Sequence, residues 1–375
     1  MDFGFSQEQE QLRQTVKSYL SSELPLTFAR AMMDDERGFT DEKWRDLAGL
    51  GWLGLTIPER FGGSGLGLLD LAIVIEATGA VVMPGPFLST VGLGVPALCA
   101  TATQQQAAAW LPRIADGTSR VTAAIAERAA RWSADGIEAT AGRDGALYVL
   151  DGRKLFVPDA RCADVLVVPV RLGGELGFFC VERGSAGLTI EPMNTVDRTR
   201  KLDVVTLRGV RVESGALLGG RAQGAAVLDG VIDAAKVVIA AEMAGAADAA
   251  LAMTVEYTAM RRQFGRAIAT FQSIQHRCAD MKVDVENARS LVYYAAWSAD
   301  SGAPDRRLAA AMAKAYASQA CPRVVADAVQ LHGGIGFTWE HDLHMFFKRV
   351  KADEQCYGDA VANRELVASF LELVP

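Results

Sequence analysis

Three long, alanine-rich stretches dominate the C-terminal part of the chain, at residues 234–260, 272–299 and 306–329. Alanine has the highest helix propensity of the amino acids, so each stretch predicts one long α-helix. Helices this long and this apolar need packing partners on most of their faces, as in a four-helix bundle. We therefore predict a C-terminal helical bundle over residues 219–375, with apolar surface left over for an interface between subunits.

The first 118 residues also predict a helical domain. Ser6 followed by Gln9 is the pattern of a capping box at a helix start, and Thr40 precedes a second amphipathic run. A proline- and glycine-rich stretch at residues 58–65 predicts a loop between these helices and later ones. The later helical runs lie at residues 68–79 and 103–115.

Between residues 119 and 218 the pattern changes to short runs with β-branched residues, separated by Gly, Asp and Asn. This spacing predicts a small antiparallel sheet or barrel. The predicted strands lie at residues 121–126, 146–150, 165–170, 177–181, 188–190 and 204–207. A chain of 375 residues is too long for one ordinary core, so we expect a multi-domain α+β protein with this β domain in the middle.

Charge and hydropathy exclude several functional classes. The net charge is −7, whereas a general nucleic-acid surface needs an excess of basic residues, so we expect no nucleic-acid partner. No apolar run reaches the ~18 residues that a membrane-spanning helix needs. The first residues lack the charged and apolar regions of a secretory signal.

The cysteines and histidines predict neither disulfides nor a metal site. The six cysteines form no C-x-x-C pair and lie in mostly apolar surroundings, and no histidine belongs to an H-E-x-x-H motif. This pattern is typical of reduced, buried thiols in a cytoplasmic protein. The six are Cys99, Cys162, Cys180, Cys278, Cys321 and Cys356.

Two motifs in the C-terminal region carry a specific resemblance. Arg261, Phe264 and Gly265 form R-x-x-F-G, Phe271-Gln272 follow, and residues 330–337 are Q-L-H-G-G-I-G-F. A run of glycines marks a place where backbone approaches something closely. Together the motifs resemble the flavin-contacting segments of acyl-CoA dehydrogenases. The predicted order of helical domain, β domain and helical bundle is similar to that family's architecture over essentially the whole chain.

The resemblance implies an FAD-dependent oxidoreductase that removes the α-proton and the β-hydride of an acyl-CoA thioester. It also implies a homodimer or homotetramer, with electron-transferring flavoprotein as the electron acceptor. In the family, the first motif reaches flavin bound largely by a neighbouring subunit. Carried over by position, the residues implied to bind FAD are Arg261, Phe264, Gln272, Gln330, Gly333 and Gly334.

The resemblance implies further contacts outside these two motifs. Phe156 stands where the family has the aromatic residue of a strand beside the flavin, although the flavin-covering loop at residues 126–133 has lost its threonine and glycines. Asp233 and Lys236 match a D-x-x-R pattern that contacts acyl-CoA in the family. An i,i+3 pair on a helix is equally consistent with an ordinary surface ion pair, so both interpretations stand.

The usual base of this family is absent. The glutamate position near the C-terminus falls on Tyr357, and the position that some relatives use on an earlier helix falls on Ala235. A tyrosine, with an ordinary pKa of ~10, is a poor base at neutral pH. The available carboxylates are Asp359, on a loop where a preceding glycine allows it to turn, and Glu242, two turns beyond Ala235.

Three functions therefore remain open on the sequence. The first is an active dehydrogenase with a displaced base, for which Asp359 is the preferred candidate. The second is a non-catalytic or half-site subunit of a heterotetramer, in which a second acyl-CoA dehydrogenase-like chain supplies the base. The third is a binding protein that has the fold without a redox role. The retained flavin motifs make the third the weakest of these hypotheses.

Overall fold

The computed structural model describes residues 4–219 and 224–373. Its helices are α1 (Gln7–Glu23), α2 (Leu26–Met32), α3 (Asp41–Gly49), α4 (Leu68–Ala80), α5 (Phe87–Ser89), α6 (Val95–Thr101), α7 (Gln104–Ala115), α8 (Gly224–Met260), α9 (Gln272–Asp300), α10 (Arg306–His332), α11 (Leu343–Gln355) and α12 (Ala360–Phe370). Its strands are β1 (Val121–Ala123), β2 (Thr140–Asp144), β3 (Leu147–Pro158), β4 (Val165–Leu172), β5 (Glu175–Glu182), β6 (Leu188–Pro192), β7 (Leu202–Glu213), β8 (Leu217–Leu218), β9 (Arg262–Gln263) and β10 (Arg266–Ala267).

The structure confirms the predicted fold class, with a helical N-terminal domain, a middle β-sheet and a helical C-terminal region. Helix α1 starts at the predicted capping box, in which Ser6 and Gln9 each accept a backbone N–H of the other. Thr40 caps α3 in the same way, through the N–H of Lys43. The three alanine-rich stretches form α8, α9 and α10. The sequence also predicts that the chain returns to helix at about Ala222, and that residue lies outside the described residues.

The chain divides into two compact units, and the last crossing from one to the other falls within α8, after Ala235. The helical unit comprises residues 1–31, 68–83 and 236–375, and the mixed unit comprises residues 32–67 and 84–235. The proposed division into three domains, at residues 1–118, 119–218 and 219–375, is a finer partition by sequence. It stays a prediction.

In the helical unit, α10 packs against α9, α11 and α12, and α4 packs against α1 and α9. Helices α4 and α8 approach each other through two glycines. A Cβ built on Gly245 would lie 1.8 Å from the carbonyl oxygen of Glu76, and one on Gly79 would lie 2.1 Å from that of Glu242. Gly245 and Gly79 therefore allow the close packing of α8 against α4.

The sheet of the mixed unit has the strand order β6-β7-β3-β2-β4-β5-β8, with β1 paired to β4. Its core is formed by alternating residues such as Leu150, Val168, Phe179 and Val205, which are fully buried. Most pairs of neighbouring strands are antiparallel, as predicted, but β1 and β2 both pair with β4 in parallel. The sequence did not predict β2, because T-A-G-R-D is mostly polar and exposed. It did not predict β8, because that strand has only two residues.

No helix in residues 4–219 and 224–373 is long and apolar enough to cross a membrane, and no cluster of three or more metal-ligating side chains occurs there. All six cysteines are free thiols. The prediction that they are buried is wrong for Cys99, which is exposed, and only in part right for Cys278 and Cys356, which are partly exposed.

Candidate cofactor and active site

The R-x-x-F-G motif forms a tight hairpin at the end of α8. Strands β9 and β10 pair antiparallel across the two residues Phe264 and Gly265, which have φ of 51° and 79°. A two-residue hairpin loop of this kind needs positive φ at both positions, which glycine adopts readily and phenylalanine adopts at a cost. The Phe264 side chain is 92% exposed, so no burial within the chain repays that cost. Arg261 lies exposed at the base of the hairpin.

The Q-L-H-G-G motif ends α10. Gly333 follows the helix with φ of 64°, and its N–H donates to the carbonyl of Gln330. A Cβ on Gly333 or Gly334 would meet no atom within 4 Å, so the backbone of this turn faces open space. Both glycines and Gln330 are exposed. The turn therefore offers accessible backbone of the kind that the glycine run predicts.

The rings of Tyr257 and His332 connect the two motifs. Their centroids lie 4.5 Å apart with 21° between the ring planes, so the end of α8 stacks on the end of α10. His332 Nδ1 lies 2.8 Å from the carbonyl oxygen of Ala328, and since a carbonyl only accepts, Nδ1 carries the proton and donates. Burial lowers the pKa of His332, and the neighbouring His341 lowers it further. The lowered pKa favours the neutral form of His332 in its contact with the Tyr257 ring.

Gln272 is the first residue of α9 and is exposed beside the hairpin. The residue before it, Phe271, packs edge-on against Phe264 with ring centroids 6.2 Å apart. The guanidinium of Arg266 lies 4.1 Å from the centroid of the Phe271 ring. Phe271 therefore supports the hairpin and leads directly into Gln272.

These residues fit a flavin dinucleotide. A diphosphate needs a cation, which Arg261 offers, and backbone donors, which a glycine turn offers. A ring system needs an exposed aromatic face such as that of Phe264. The open space above Gly333 and Gly334 would leave room for a ligand to approach the backbone.

In the mixed unit, a β-bulge presents Phe156. The pairing of β3 with β7 shifts register between Lys154 and Val157, and Phe156 in the bulge has φ of 53° and is 41% exposed. Bulges re-aim side chains next to functional sites. Phe156 is therefore available as an aromatic contact on this unit.

A buried ion pair fixes that bulge to the loop at residues 126–133. Lys154 is fully buried, and its Nζ lies 2.6 Å from a Glu127 oxygen and 2.7 Å from the carbonyl oxygen of Pro169. Glu127 also accepts the backbone N–H groups of Glu138 and Ala139. Burial lowers the pKa of Lys154 to about 8, and Glu127 opposes that shift.

The turn between α11 and α12 carries the residues considered for proton transfer. Tyr357 is 6% exposed with φ of 57°, and Gly358 follows with φ of 92°. Asp359 is the N-cap of α12, where its Oδ1 accepts the N–H of Ala362 at 2.8 Å. The expectation that Gly358 leaves this loop free to turn is wrong, because Lys314 and Asn363 both hold the Gly358 carbonyl at 2.9 Å.

The other candidate carboxylate lies in an ion pair. Glu242 and Arg349 are each 1% exposed in their side chains and are 2.6 Å apart, and Arg349 also donates to the carbonyl of Met83. A carboxylate held by a buried guanidinium is a poor proton acceptor, because protonation would leave the guanidinium unpaired. Ala235 is buried and has no acidic group.

Asp233 and Lys236 lie on α8, one turn apart. Lys236 is 5% exposed, whereas Asp233 is partly buried. The burial of Lys236 contradicts the interpretation as an ordinary surface ion pair. Contact with acyl-CoA stays a prediction for both residues.

Sequence reasoning missed the residues that hold the site in place. Tyr257, Lys154 and Lys314 make their contacts with residues distant in sequence, and no local pattern distinguishes them from surface or core residues. A lysine inside an apolar helical stretch was the only available signal for Lys314.

Comparison with known protein families gives two matches. The acyl-CoA dehydrogenase N-terminal domain matches residues 6–118, and the acyl-CoA dehydrogenase C-terminal domain matches residues 222–371. Among curated relatives, acyl-CoA dehydrogenase IpdE2 of Mycobacterium tuberculosis is 33% identical over 93% of this chain and 92% of its own length. Acryloyl-CoA reductase (NADH) of Anaerotignum propionicum is 30% identical over 98% of this chain and 95% of its own.

Solved structures of similar proteins match this chain over nearly its whole length. Butyryl-CoA dehydrogenase from Megasphaera elsdenii superposes with a TM-score of 0.91 at 26% identity, over 99% of this chain and 100% of that one. The ChsE4-ChsE5 complex from Mycobacterium tuberculosis gives 0.91 at 26% identity, with both chains fully covered. PigA with FAD and proline gives 0.91 at 25% identity, again with both chains fully covered.

Proposed function

The chain belongs to the acyl-CoA dehydrogenase family, and we propose that it binds FAD at the exposed ends of α8 and α10 while it oxidises an acyl-CoA. Its function is that of an FAD-dependent acyl-CoA dehydrogenase. The Tyr257–His332 stack is the observation that carries the assignment of the site, because it brings the Arg261 hairpin and the Gly333–Gly334 turn together. Phe264 of the hairpin and both glycines of the turn are exposed.

The proposed roles follow from the chemistry of each group. FAD, when bound, accepts the hydride from the β-carbon of the acyl group. The Arg261 guanidinium would meet the diphosphate, and Gln272 and Gln330 would donate or accept hydrogen bonds at the nucleotide. The backbone of Gly333 and Gly334 would approach it closely, and Phe264 would provide an aromatic face. Phe156 is proposed separately, as an aromatic contact to flavin from the mixed unit. Asp233 and Lys236 are proposed to contact the acyl-CoA.

For the proton we propose Asp359. Its Oδ1 is used by the helix cap, but a carboxylate has a second oxygen that can take a proton. The ion pair of Glu242 with Arg349 supports this choice over Glu242. Tyr357 and Ala235 occupy the two family positions for the base and supply no carboxylate.

We propose that the protein works as an oligomer, either of identical chains or with a second, related chain, and that it passes electrons to electron-transferring flavoprotein. Side chains that are apolar and exposed at the ends of α8 and α10 support an interface there. They are Met260, Phe264, Ile335, Phe337 and Trp339. A complex of two different chains, ChsE4 and ChsE5, is among the similar structures, whereas the relatives' names do not favour a non-catalytic subunit.

The free thiols are consistent with a cytoplasmic location.

An absorbance spectrum of the purified protein tests this function. We expect a yellow protein whose flavin band bleaches when an acyl-CoA is added anaerobically. A series of straight-chain, branched and ring-bearing acyl-CoA thioesters would then define the substrate. A protein that turns yellow and active only with a second, glutamate-bearing chain would establish the heteromeric form. A protein that binds no FAD either alone or with such a chain would refute the proposal.

A further inference from the structure

Lys314, in the middle of α10, is a fully buried lysine that the proposed function does not use. Its Nζ lies 2.5 Å from Ser318 Oγ, 3.0 Å from the carbonyl oxygen of Glu354 and 2.9 Å from that of Gly358. An ammonium group has three N–H donors and no acceptor, so these three bonds satisfy it completely. A buried charge is costly unless it is bonded in this way, which indicates that the contacts serve a purpose.

The two carbonyls lie on either side of the segment that carries Tyr357. Glu354 is in the last turn of α11, and Gly358 immediately precedes the N-cap of α12. Between them, Tyr357 has a positive φ, a conformation that residues other than glycine keep only when the surroundings enforce it. Asn363, which is 2% exposed, adds bonds to the carbonyls of Gly358 and Asp359 at 2.9 Å.

We propose that Lys314 is a positioning residue, whose ammonium group clamps the carbonyls of Glu354 and Gly358 and so fixes the turn that presents Tyr357 and Asp359. The inference rests on the proposed function, which places the proton acceptor on this turn. Lys314 acts through the backbone and does not touch the reacting atoms. The clamp fixes the directions of the Tyr357 and Asp359 side chains. Without it, the glycine at position 358 would allow the turn many backbone conformations.

The clamp has a chemical signature in its dependence on pH. A neutral amine has only two N–H donors, so loss of the proton must break one of the three bonds. Burial lowers the pKa of Lys314 to about 8, while the groups that face it oppose the shift. Those groups are Cys356, Asp353 and Glu354 at the end of α11 and Asp359 at the start of α12. The clamp is therefore complete below about pH 8 and weakened above it.

The test compares Lys314→Met with Lys17→Met in the FAD-loaded protein. Lys17 is exposed on α1, a helix that carries none of the clamp residues, so its replacement makes the same chemical change without touching the clamp. For Lys314→Met we expect kcat to fall at least tenfold, with the KM for acyl-CoA and the FAD content within twofold of the parent. The parent and Lys17→Met should show an alkaline decline in kcat near pH 8, which Lys314→Met should lack. An unchanged kcat with the alkaline decline retained in Lys314→Met would overturn the proposal.

Hydrogen exchange of the parent protein decides the matter even if Lys314→Met does not fold or the parent shows no turnover. After correction for intrinsic exchange rates, peptides covering residues 353–360 should lose about tenfold in protection between pH 7 and pH 9. This loss refers to local openings of the turn in which Lys314 stays buried in α10, unlike global unfolding, which exposes the lysine and becomes less favourable above its lowered pKa. Peptides within α9 should keep their protection. Unchanged protection of the turn would refute the clamp. Absence of turnover with any acyl-CoA would instead count against the proposed function.

Discussion

The phenol ring of Tyr257 lies nearly parallel to the imidazole of His332, at a centroid distance of 4.5 Å. Arg261 follows Tyr257 by one helical turn, and its N–H donates to the Tyr257 carbonyl at 2.8 Å. His332 directly precedes the Gly333–Gly334 turn. The stack therefore connects both proposed flavin-binding segments. Tyr257 lies outside both motifs, so the stack can be tested at that residue without altering a proposed contact with FAD.

Replacement of Tyr257 by Ala should weaken FAD binding about tenfold, because aromatic stacking contributes about 0.5–1.5 kcal/mol beyond the area that it buries. Replacement by Phe keeps the ring and should leave binding within twofold of the parent. The measurement is the FAD dissociation constant from flavin fluorescence. Equal affinities for the two variants would mean that the stack does not organise the site.

Arg261→Ala should weaken FAD binding by roughly ten- to a hundredfold, since a hydrogen bond to a charged group contributes about 1.5–3 kcal/mol. Arg262→Ala provides a matched control, because Arg262 is the neighbouring exposed arginine and lies in β9. The flavin content after gel filtration reports the loss. If both variants retain flavin equally, the diphosphate is not bound by Arg261.

Asp359→Asn should lower turnover at least ~100-fold, the usual lower range for removal of a general base. Asparagine caps a helix as well as aspartate does, so α12 and the thermal midpoint should be little affected. This design separates the charge of Asp359 from its structural role at the cap. Full turnover in the variant would show that the proton goes elsewhere.

Gly245→Ala should destabilise the protein by about 1–3 kcal/mol, because the added methyl group would overlap the Glu76 carbonyl and force α4 away from α8. Gly230→Ala is the control on the same helix. Gly230 is exposed with no atom within 4 Å of a built Cβ, so alanine should stabilise by up to about 1 kcal/mol. Urea unfolding gives both values, and equal effects of the two substitutions would contradict the close crossing.

Lys154 should make the free energy of unfolding rise between about pH 8 and pH 10.5. Its folded pKa is lowered to about 8, so in this range the unfolded chain binds more protons than the folded one, and stability increases with pH. Below pH 8 both states are protonated and the slope disappears.

The double variant Lys154→Met/Glu127→Gln removes the titrating pair and serves as the reference for that measurement. Stability relative to this variant, from urea unfolding at pH 7.5, 9 and 10, should increase with pH. A flat or falling difference would mean that burial does not depress the pKa of Lys154.

The sequence by itself determined the features that depend on neighbours along the chain. The helix starts at Ser6 and Thr40 were predictable because a cap is a contact over three residues. The long helices α8, α9 and α10 were predictable because alanine propensity adds up over many turns. The R-x-x-F-G and Q-L-H-G-G motifs indicated the family for the same reason, since each is a short contiguous pattern.

Only the tertiary structure decided features that depend on distant partners. Polar strand β2 exists because β3 and β4 offer it hydrogen bonds, which its own sequence does not reveal. Lys154 can be buried because Glu127 accepts a hydrogen bond from its ammonium group. Lys314 can be buried because the carbonyls of Glu354 and Gly358 accept hydrogen bonds from its own. Asp359 caps α12 by accepting the N–H of Ala362. The backbone of Gly358 is held in one conformation by the hydrogen bond from Lys314 to its carbonyl. Burial and electrostatics act through space, so a residue's role in this site is fixed by contacts that sequence spacing does not encode.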